Sequence, residues 1–322
     1  MSSDEVFLTG ATGFIGSHVL DSLLDAGYRV RALCRPGSTL HRDDCTRVEG
    51  DLITPGDLLR SLDGCRYLVH VAALYSFAPR DHAQIRETNV AGTAGLLEVA
   101  RIAGVERAVV TSSAATVGPA RGRLATEHDV AVEGHHSPYH DSKLEQERAA
   151  LSARVPVVLV LPTAPVGTRD RKPTPTGKMM VDFMRGRIVA SLGGGLNVVD
   201  VTDVARAHVA ALERGRLRER YLVGGSNLSL DELWQLLAQI TGRRAPEHRI
   251  PYGIALAAGY LDTLRCRLFD RDPTVPLEGV HMAQHAMHVD DSKARTEFGH
   301  RPSPVPEALS RAVSWFRQNG YA

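Results

Sequence analysis

The sequence predicts an α/β fold: a doubly wound parallel sheet followed by a smaller, mostly helical C-terminal lobe. Three observations carry this. Through the first half of the chain, short apolar runs of strand length alternate with helical segments, the pattern of successive βαβ units. The first run ends in a turn with glycines at 10, 13 and 16, and a helix follows. After Pro162 the alternation gives way to a loop and then to helix-rich, proline-punctuated sequence.

The elements follow in order. Residues 5–9 are an apolar run of strand length, and 14–26 carry apolar side chains at helical spacing until Gly27 stops them. Residues 28–33, 46–49 and 67–71 read as the second, third and fourth strands. Residues 89–103 place Val90, Leu96, Leu97, Val99 and Ala100 on one helical face and end at Gly104. A fifth strand at 108–111, a helix at 139–151 and a sixth strand at 155–161 complete the regular part. Residues 163–178, rich in Thr, Pro, Gly and basic side chains, read as a long loop. A strand and helix return over 197–213, and a further strand begins at Tyr221. Residues 1–165, with a returning segment at about 197–225, form the expected nucleotide-binding domain. Residues 166–196 and 226–322 form the expected substrate lobe.

In a parallel sheet with right-handed crossovers, the carboxyl ends of the strands share one edge, where ligands bind. Gly10, Gly13 and Gly16 are spaced G-x-x-G-x-x-G rather than G-x-G-x-x-G. The physics is the same: small residues let backbone approach a pyrophosphate whose charge sits at a helix N-terminus. This is a Rossmann-type arrangement. An acid ending the second strand would bond a ribose 2′-hydroxyl, but Leu33 and Cys34 lead instead into Arg35. A guanidinium there matches a 2′-phosphate, so NADP(H) is expected over NAD(H). Tyr139 and Lys143 stand four residues apart on a predicted helix and share a face. A nearby ammonium favours the phenolate, making Tyr139 a usable acid or base. Ser112 and Ser113 end the fifth strand, where a hydroxyl can face a reacting carbonyl oxygen.

These residues carry a resemblance. The chain resembles the extended short-chain dehydrogenase/reductase family over essentially its whole length. The family's glycine fingerprint is matched by Thr9-Gly10-Ala11-Thr12-Gly13-Phe14-Ile15-Gly16 and its acidic adenine contact by Asp51, beside Leu52. Its Ala-rich strand end is matched by His70-Val71-Ala72-Ala73. Its asparagine, serine, tyrosine and lysine are matched by Asn89, Ser113, Tyr139 and Lys143, and Pro162 closes the nicotinamide-side strand. Within the family, residues 109–116 look most like dihydroflavonol 4-reductases and hopanoid-associated sugar epimerases, and residues 165–177 are particularly similar to the latter. The resemblance implies that Asn89 positions a water that returns a proton from bulk. It also implies a homodimer packed through helices near 89–103 and 139–151. Two departures stand out. Asp200 replaces a histidine common among relatives, and Ala114 and Ala115 follow Ser113 where nucleotide-sugar dehydratases carry an acidic pair.

The expected function is carbonyl reduction with NADPH on a small-molecule substrate, apolar or aromatic because 254–261, with Tyr260 and Leu264, reads as its roof. A nucleotide-sugar epimerase with retained NAD(P) and a non-catalytic NADP sensor are the competing readings. With 38 basic and 37 acidic residues the chain lacks the charge of a nucleic-acid binder. Cys34, Cys45, Cys65 and Cys266 are irregularly spaced, as in reduced thiols. With a polar N-terminus and no apolar run near the ~20 residues of a bilayer span, a cytoplasmic enzyme is expected. His281, His285 and His288 have helical spacing without the glutamate of a zinc-protease helix, so no metal is expected. Arg169, Arg171, Lys172 and Lys178 form a basic loop that reads as solvated or as a phosphate clamp.

Overall fold

A computed structural model describes residues 4–75, 81–118, 120, 122–131, 138–269, 280 and 286–322. Seven strands form one sheet: β1 (Glu5–Thr9), β2 (Arg29–Cys34), β3 (Thr46–Glu49), β4 (Tyr67–His70), β5 (Arg107–Thr111), β6 (Val157–Pro162) and, later in the chain, β9 (Arg220–Val223). Their order is β3-β2-β1-β4-β5-β6-β9, and every pairing is parallel. The chain winds outward from β1 to β3, then returns to lay β4 on the other side of β1. That reversal opens a crevice beyond the carboxyl ends of β1 and β4.

Strands buried on both faces alternate their side chains between two cores. Phe7, Leu68, Val110 and Leu159 join one cluster, while Val6, Leu8, Val69, Val109 and Val160 join the other. A third cluster brings Met180, Phe183, Trp234, Leu309 and Phe316 together, apart from the main sheet's two cores. There the Phe183 and Trp234 rings stack with centroids 5.7 Å apart.

The expected helices and strands of the first half are present within one to four residues. The chain departs from expectation in three places. Residues 87–92 form a π-helical turn before the regular Thr93–Ile102 helix. The stretch expected to be loop contains β7 (Ala164–Val166) and the first turn of the Pro175–Met184 helix, which Thr174 caps by accepting from the Gly177 N–H. The chain also forms a second sheet, in which β8 (Gly195–Asp200) pairs with β7, β10 (Ser226–Ser229) and β11 (Ala286–Met287). The sequence expects a strand from 197 as part of the segment returning to the main sheet, but β8 joins this second sheet instead. β7 and β11, three and two residues long, are too short to show alternation.

Three buried histidines are neutral for stated reasons. His208 donates from Nδ1 to the Val204 carbonyl and accepts at Nε2 from the Thr111 hydroxyl, both at 2.8 Å. His18 donates from Nε2 to the Thr168 carbonyl at 3.0 Å and accepts at Nδ1 from Arg169. His70 lies between the hydroxyls of Thr9 and Thr93. Burial lowers His18 and His208 to about 4 and, with Lys143 nearby, His70 to about 3. The unfolded chain takes up these protons near pH 6.5, the folded protein only near 4 or below, so unfolding free energy falls as pH drops through that window. Between pH 6 and 5 these imidazoles contribute a slope of nearly three protons. Asp170 offsets this by up to one proton, because burial raises its carboxyl to about 6 and the folded protein binds that proton first. In His208→Gln the slope should fall by about one, measured by denaturant melts across pH; an unchanged slope excludes His208 from the linkage.

Candidate active site

The glycine turn is shaped by contacts that no side chain permits. Gly10 has φ +80°, and a Cβ there would lie 2.7 Å from the Ala72 nitrogen. A Cβ on Gly16 would lie 2.0 Å from the Gly10 carbonyl oxygen. The first helix (Phe14–Asp25) therefore starts directly against the end of β1, with Gly13 as a cap that offers no side-chain acceptor. Thr12 and Gly13 are exposed and Phe14 and Ile15 half-buried, so the first-turn amides open onto the crevice.

The other strand ends lie along the same edge. Arg35 is exposed at the end of β2. Beyond β3, Asp51 is exposed and accepts from the Ile53 N–H at 3.1 Å, while Leu52 is buried. Val71, Ala72 and Ala73 leave β4, with the Ala72 N–H donating to the Thr9 hydroxyl at 3.2 Å. Pro162 ends β6.

Tyr139 and Lys143 lie on the Pro138–Ser152 helix, and both are buried. The Tyr139 ring meets that of Tyr75 edge-on at 4.2 Å. The Lys143 ammonium donates to the Thr111 carbonyl at the end of β5 (2.9 Å) and to Gln146 Oε1 (2.6 Å). Burial lowers it to about 8, a fall that the Glu147 carboxylate opposes.

The two serines at the end of β5 differ in kind. Ser112 is buried and donates to Glu147 at 2.5 Å. Ser113 is half-buried, and its oxygen accepts from the Ala115 N–H at 3.2 Å. Asn89 uses its amide as a pin. It accepts from the Leu74 N–H (2.8 Å) and donates to the Leu74 carbonyl (3.0 Å) and the Ser142 hydroxyl (3.2 Å).

The sequence reading missed the polar groups behind these residues. Glu147 accepts from Ser112 and Thr116 and pairs with Arg220 at 3.0 Å. Gln146 joins Lys143 to Thr93, and Thr93 joins His70. The signal was present in part: Gln146 and Glu147 stand three and four residues beyond Lys143, on its helical face.

With this geometry in place, comparison with known proteins decides the family. Residues 6–224 match the family described as NAD dependent epimerase/dehydratase family. The chain belongs to that family. It is 39% identical to a Synechocystis sp. protein provisionally named dihydroflavonol 4-reductase, covering 99% of this chain and 96% of that one. It is 33% identical to sterol demethylase protein B of Methylococcus capsulatus, covering 97% and 98%. The crystal structure of gox2253 superposes with a TM-score of 0.87 at 36% identity, covering 99% of each chain. The chain is accordingly an NAD(P)-dependent oxidoreductase of the extended short-chain dehydrogenase/reductase type.

The family's dinucleotide fits the residues present. Backbone without side chains at Gly10 and Gly16, and open amides at the following helix, suit a pyrophosphate. Other expected residues resolve differently. Asp200 is buried, caps the Val201–Arg214 helix through the Thr202 N–H and pairs with Arg311. Arg169 is held by Asp21 at 2.6 Å and by His18. Lys178 pairs with Asp182, and Arg171 and Lys172 are exposed. On the Tyr252–Phe269 helix, Ile254, Tyr260 and Leu261 face solvent rather than a core. The side chains of Leu264 and Cys266, and all of His281 and His285, lie outside the described residues. His288 Nε2 meets the Leu228 carbonyl at 3.2 Å. Among the described residues, no helix is long and apolar enough to cross a membrane.

The serines give a separable prediction. Ser112→Ala removes a donor from a buried carboxylate and should lower stability by about 1–3 kcal/mol, with turnover less affected. Ser113→Ala should leave the melting curve near wild type and reduce turnover more than Ser112→Ala does. Paired melting and steady-state measurements check both, and a reversed order reassigns the serines.

Proposed function

We propose that this chain is an NADPH-dependent carbonyl reductase of the dihydroflavonol 4-reductase-like type, acting on a ketone or aldehyde of a bulky apolar or aromatic molecule. The observation that carries the reading is the buried Lys143 ammonium, fixed at the end of β5 one helical turn from buried Tyr139. A reduced nicotinamide, when bound, supplies the hydride that reaches the carbonyl carbon.

Tyr139 gives its phenolic proton to the carbonyl oxygen, completing the alcohol. Lys143 holds positive charge beside the phenol and lowers its pKa from about 10, so that the phenolate left behind is tolerated. Ser113 donates to the same oxygen as charge grows on it. Asn89 holds the Leu74 backbone and the Ser142 hydroxyl, and with them the wall around Tyr139. A water positioned by Asn89 would return the proton from bulk. At the other end of the crevice, Arg35 faces solvent where a 2′-phosphate would sit. The sterol-directed name of the Methylococcus relative supports a bulky apolar substrate.

Tyr139→Phe should retain the fold and bind nucleotide normally while turnover falls at least ~100-fold, the scale of general-acid catalysis. Stopped-flow reduction of a ketone panel measures this, and near-normal turnover removes Tyr139 from the chemistry. Wild type should bind NADPH about tenfold or more tighter than NADH, the preference falling with added salt. Arg35→Ala should abolish that preference by weakening NADPH alone, as read by titration calorimetry. Equal affinities in the wild type, or NAD retained through purification with activity on nucleotide sugars only, would favour the epimerase reading.

A further inference from the structure

Behind Lys143 the described structure holds a buried polar chain that the reaction above does not use. The Lys143 ammonium donates to Gln146 Oε1 at 2.6 Å, and Gln146 Nε2 donates to the Thr93 hydroxyl oxygen at 2.8 Å. Thr93 meets His70 Nε2 at 2.8 Å, and His70 Nδ1 meets the Thr9 hydroxyl at 2.7 Å. Thr9 accepts from the Ala72 N–H, beside Gly10. All five of these side chains, Thr9, His70, Thr93, Lys143 and Gln146, are 2% exposed or less. Four separate elements supply the chain: β1, β4, the Thr93–Ile102 helix and the Pro138–Ser152 helix.

The orientation of the Gln146 amide follows from chemistry. An ammonium only donates, so the amide oxygen faces Lys143. Its NH2 then faces Thr93, whose hydroxyl oxygen accepts. We propose that Gln146 is the positioning residue for the Lys143 ammonium, its amide held by Thr93 and His70 so that charge stays fixed beside Tyr139. This rests on the reading of Lys143 as the group that tunes Tyr139. Gln146 touches neither the reacting carbonyl nor Tyr139 in this role; it acts through Lys143.

The groups around the ammonium support a role for a neutral, oriented acceptor. Glu147 on the same helix supplies negative charge, but it is engaged by Ser112, Thr116 and Arg220. The imidazoles nearest along the bonded paths are His70, through Thr93, and His208, through Thr111, and burial keeps both uncharged near neutral pH. With the Thr111 carbonyl and Gln146 as its two bonded acceptors, the ammonium keeps its proton at a depth where burial works against it. Loss of the amide acceptor would lower the proton affinity of Lys143. A carboxylate in its place would raise that affinity and cancel the charge that Tyr139 feels.

The chain has only four lysines, Lys143, Lys172, Lys178 and Lys293, so their side-chain carbons can be titrated individually by NMR on lysine labelled at the ε-carbon. Lys143→Arg assigns the Lys143 signal. In nucleotide-free protein, Gln146→Glu should raise the Lys143 midpoint by about one pH unit or more, and Gln146→Leu should lower it by a similar amount. Thr93→Val, which keeps the shape but removes the acceptor holding the amide, should shift it in the same direction as Gln146→Leu. In the active enzyme, Gln146→Leu should lower turnover about tenfold or more and shift the pH–rate profile with the Lys143 midpoint. Midpoints within about 0.3 of wild type in both Gln146→Glu and Thr93→Val overturn the proposal even if Gln146→Leu fails to fold. Tyr139→Phe separates the two readings: if it stays active while the midpoints move, the assigned reaction fails and the positioning role stands.

Discussion

The structure depends on one close approach of backbone to backbone, at Gly10, Gly16 and Ala72. A methyl group at Gly10 or Gly16 would collide with peptide atoms that cannot turn aside. Because none is there, the first helix begins hard against the end of β1, and the segment leaving β4 runs beside it. The crevice at the sheet's reversal point is therefore walled by peptide groups and a helix N-terminus. A phosphate can approach such a wall; it could not approach one lined with side chains.

Fixing the remainder of the site is the work of buried polar contacts. The Pro138–Ser152 helix is not held by apolar packing alone. Lys143 bonds to β5, Glu147 to the turn beyond β5 and to β9 through Arg220, and Gln146 to the neighbouring helix. Asn89 fastens the same helix, through Ser142, to the backbone after β4. Each buried polar group is costly unless partnered, and here the partners come from different elements. An error in the placement of one element leaves groups on several others unsatisfied. Tyr139 inherits its position from that frame.

The two sheets are joined in a comparable way. Asn197 on β8 accepts from the Thr163 hydroxyl and the Gly225 N–H and donates to Asn227, which in turn bonds the backbone at Val289. Gly225 would place a Cβ 2.2 Å from the Val198 carbonyl. The chain crosses between the main sheet and the second sheet at this knot, so the second sheet is fastened near the carboxyl ends of β6 and β9.

The sequence alone determined the parallel sheet, the glycine turn and the Tyr139–Lys143 pair. Those features are local: alternating cores write continuous apolar runs, a turn without side-chain room demands glycine, and a shared helical face is a matter of four residues. The resemblance singled out Ser113, but only tertiary structure supplied the physical difference from Ser112, whose hydroxyl is committed to the distant Glu147. Tertiary structure alone assigned Asp200 to a helix cap and to Arg311, and Arg169 to Asp21 and His18. It alone connected Thr9, His70, Thr93 and Gln146 to Lys143 across 134 residues of chain. A side chain's type states what it can bond, but which partner it meets depends on how separate elements pack, and single-chain spacing carries no record of that.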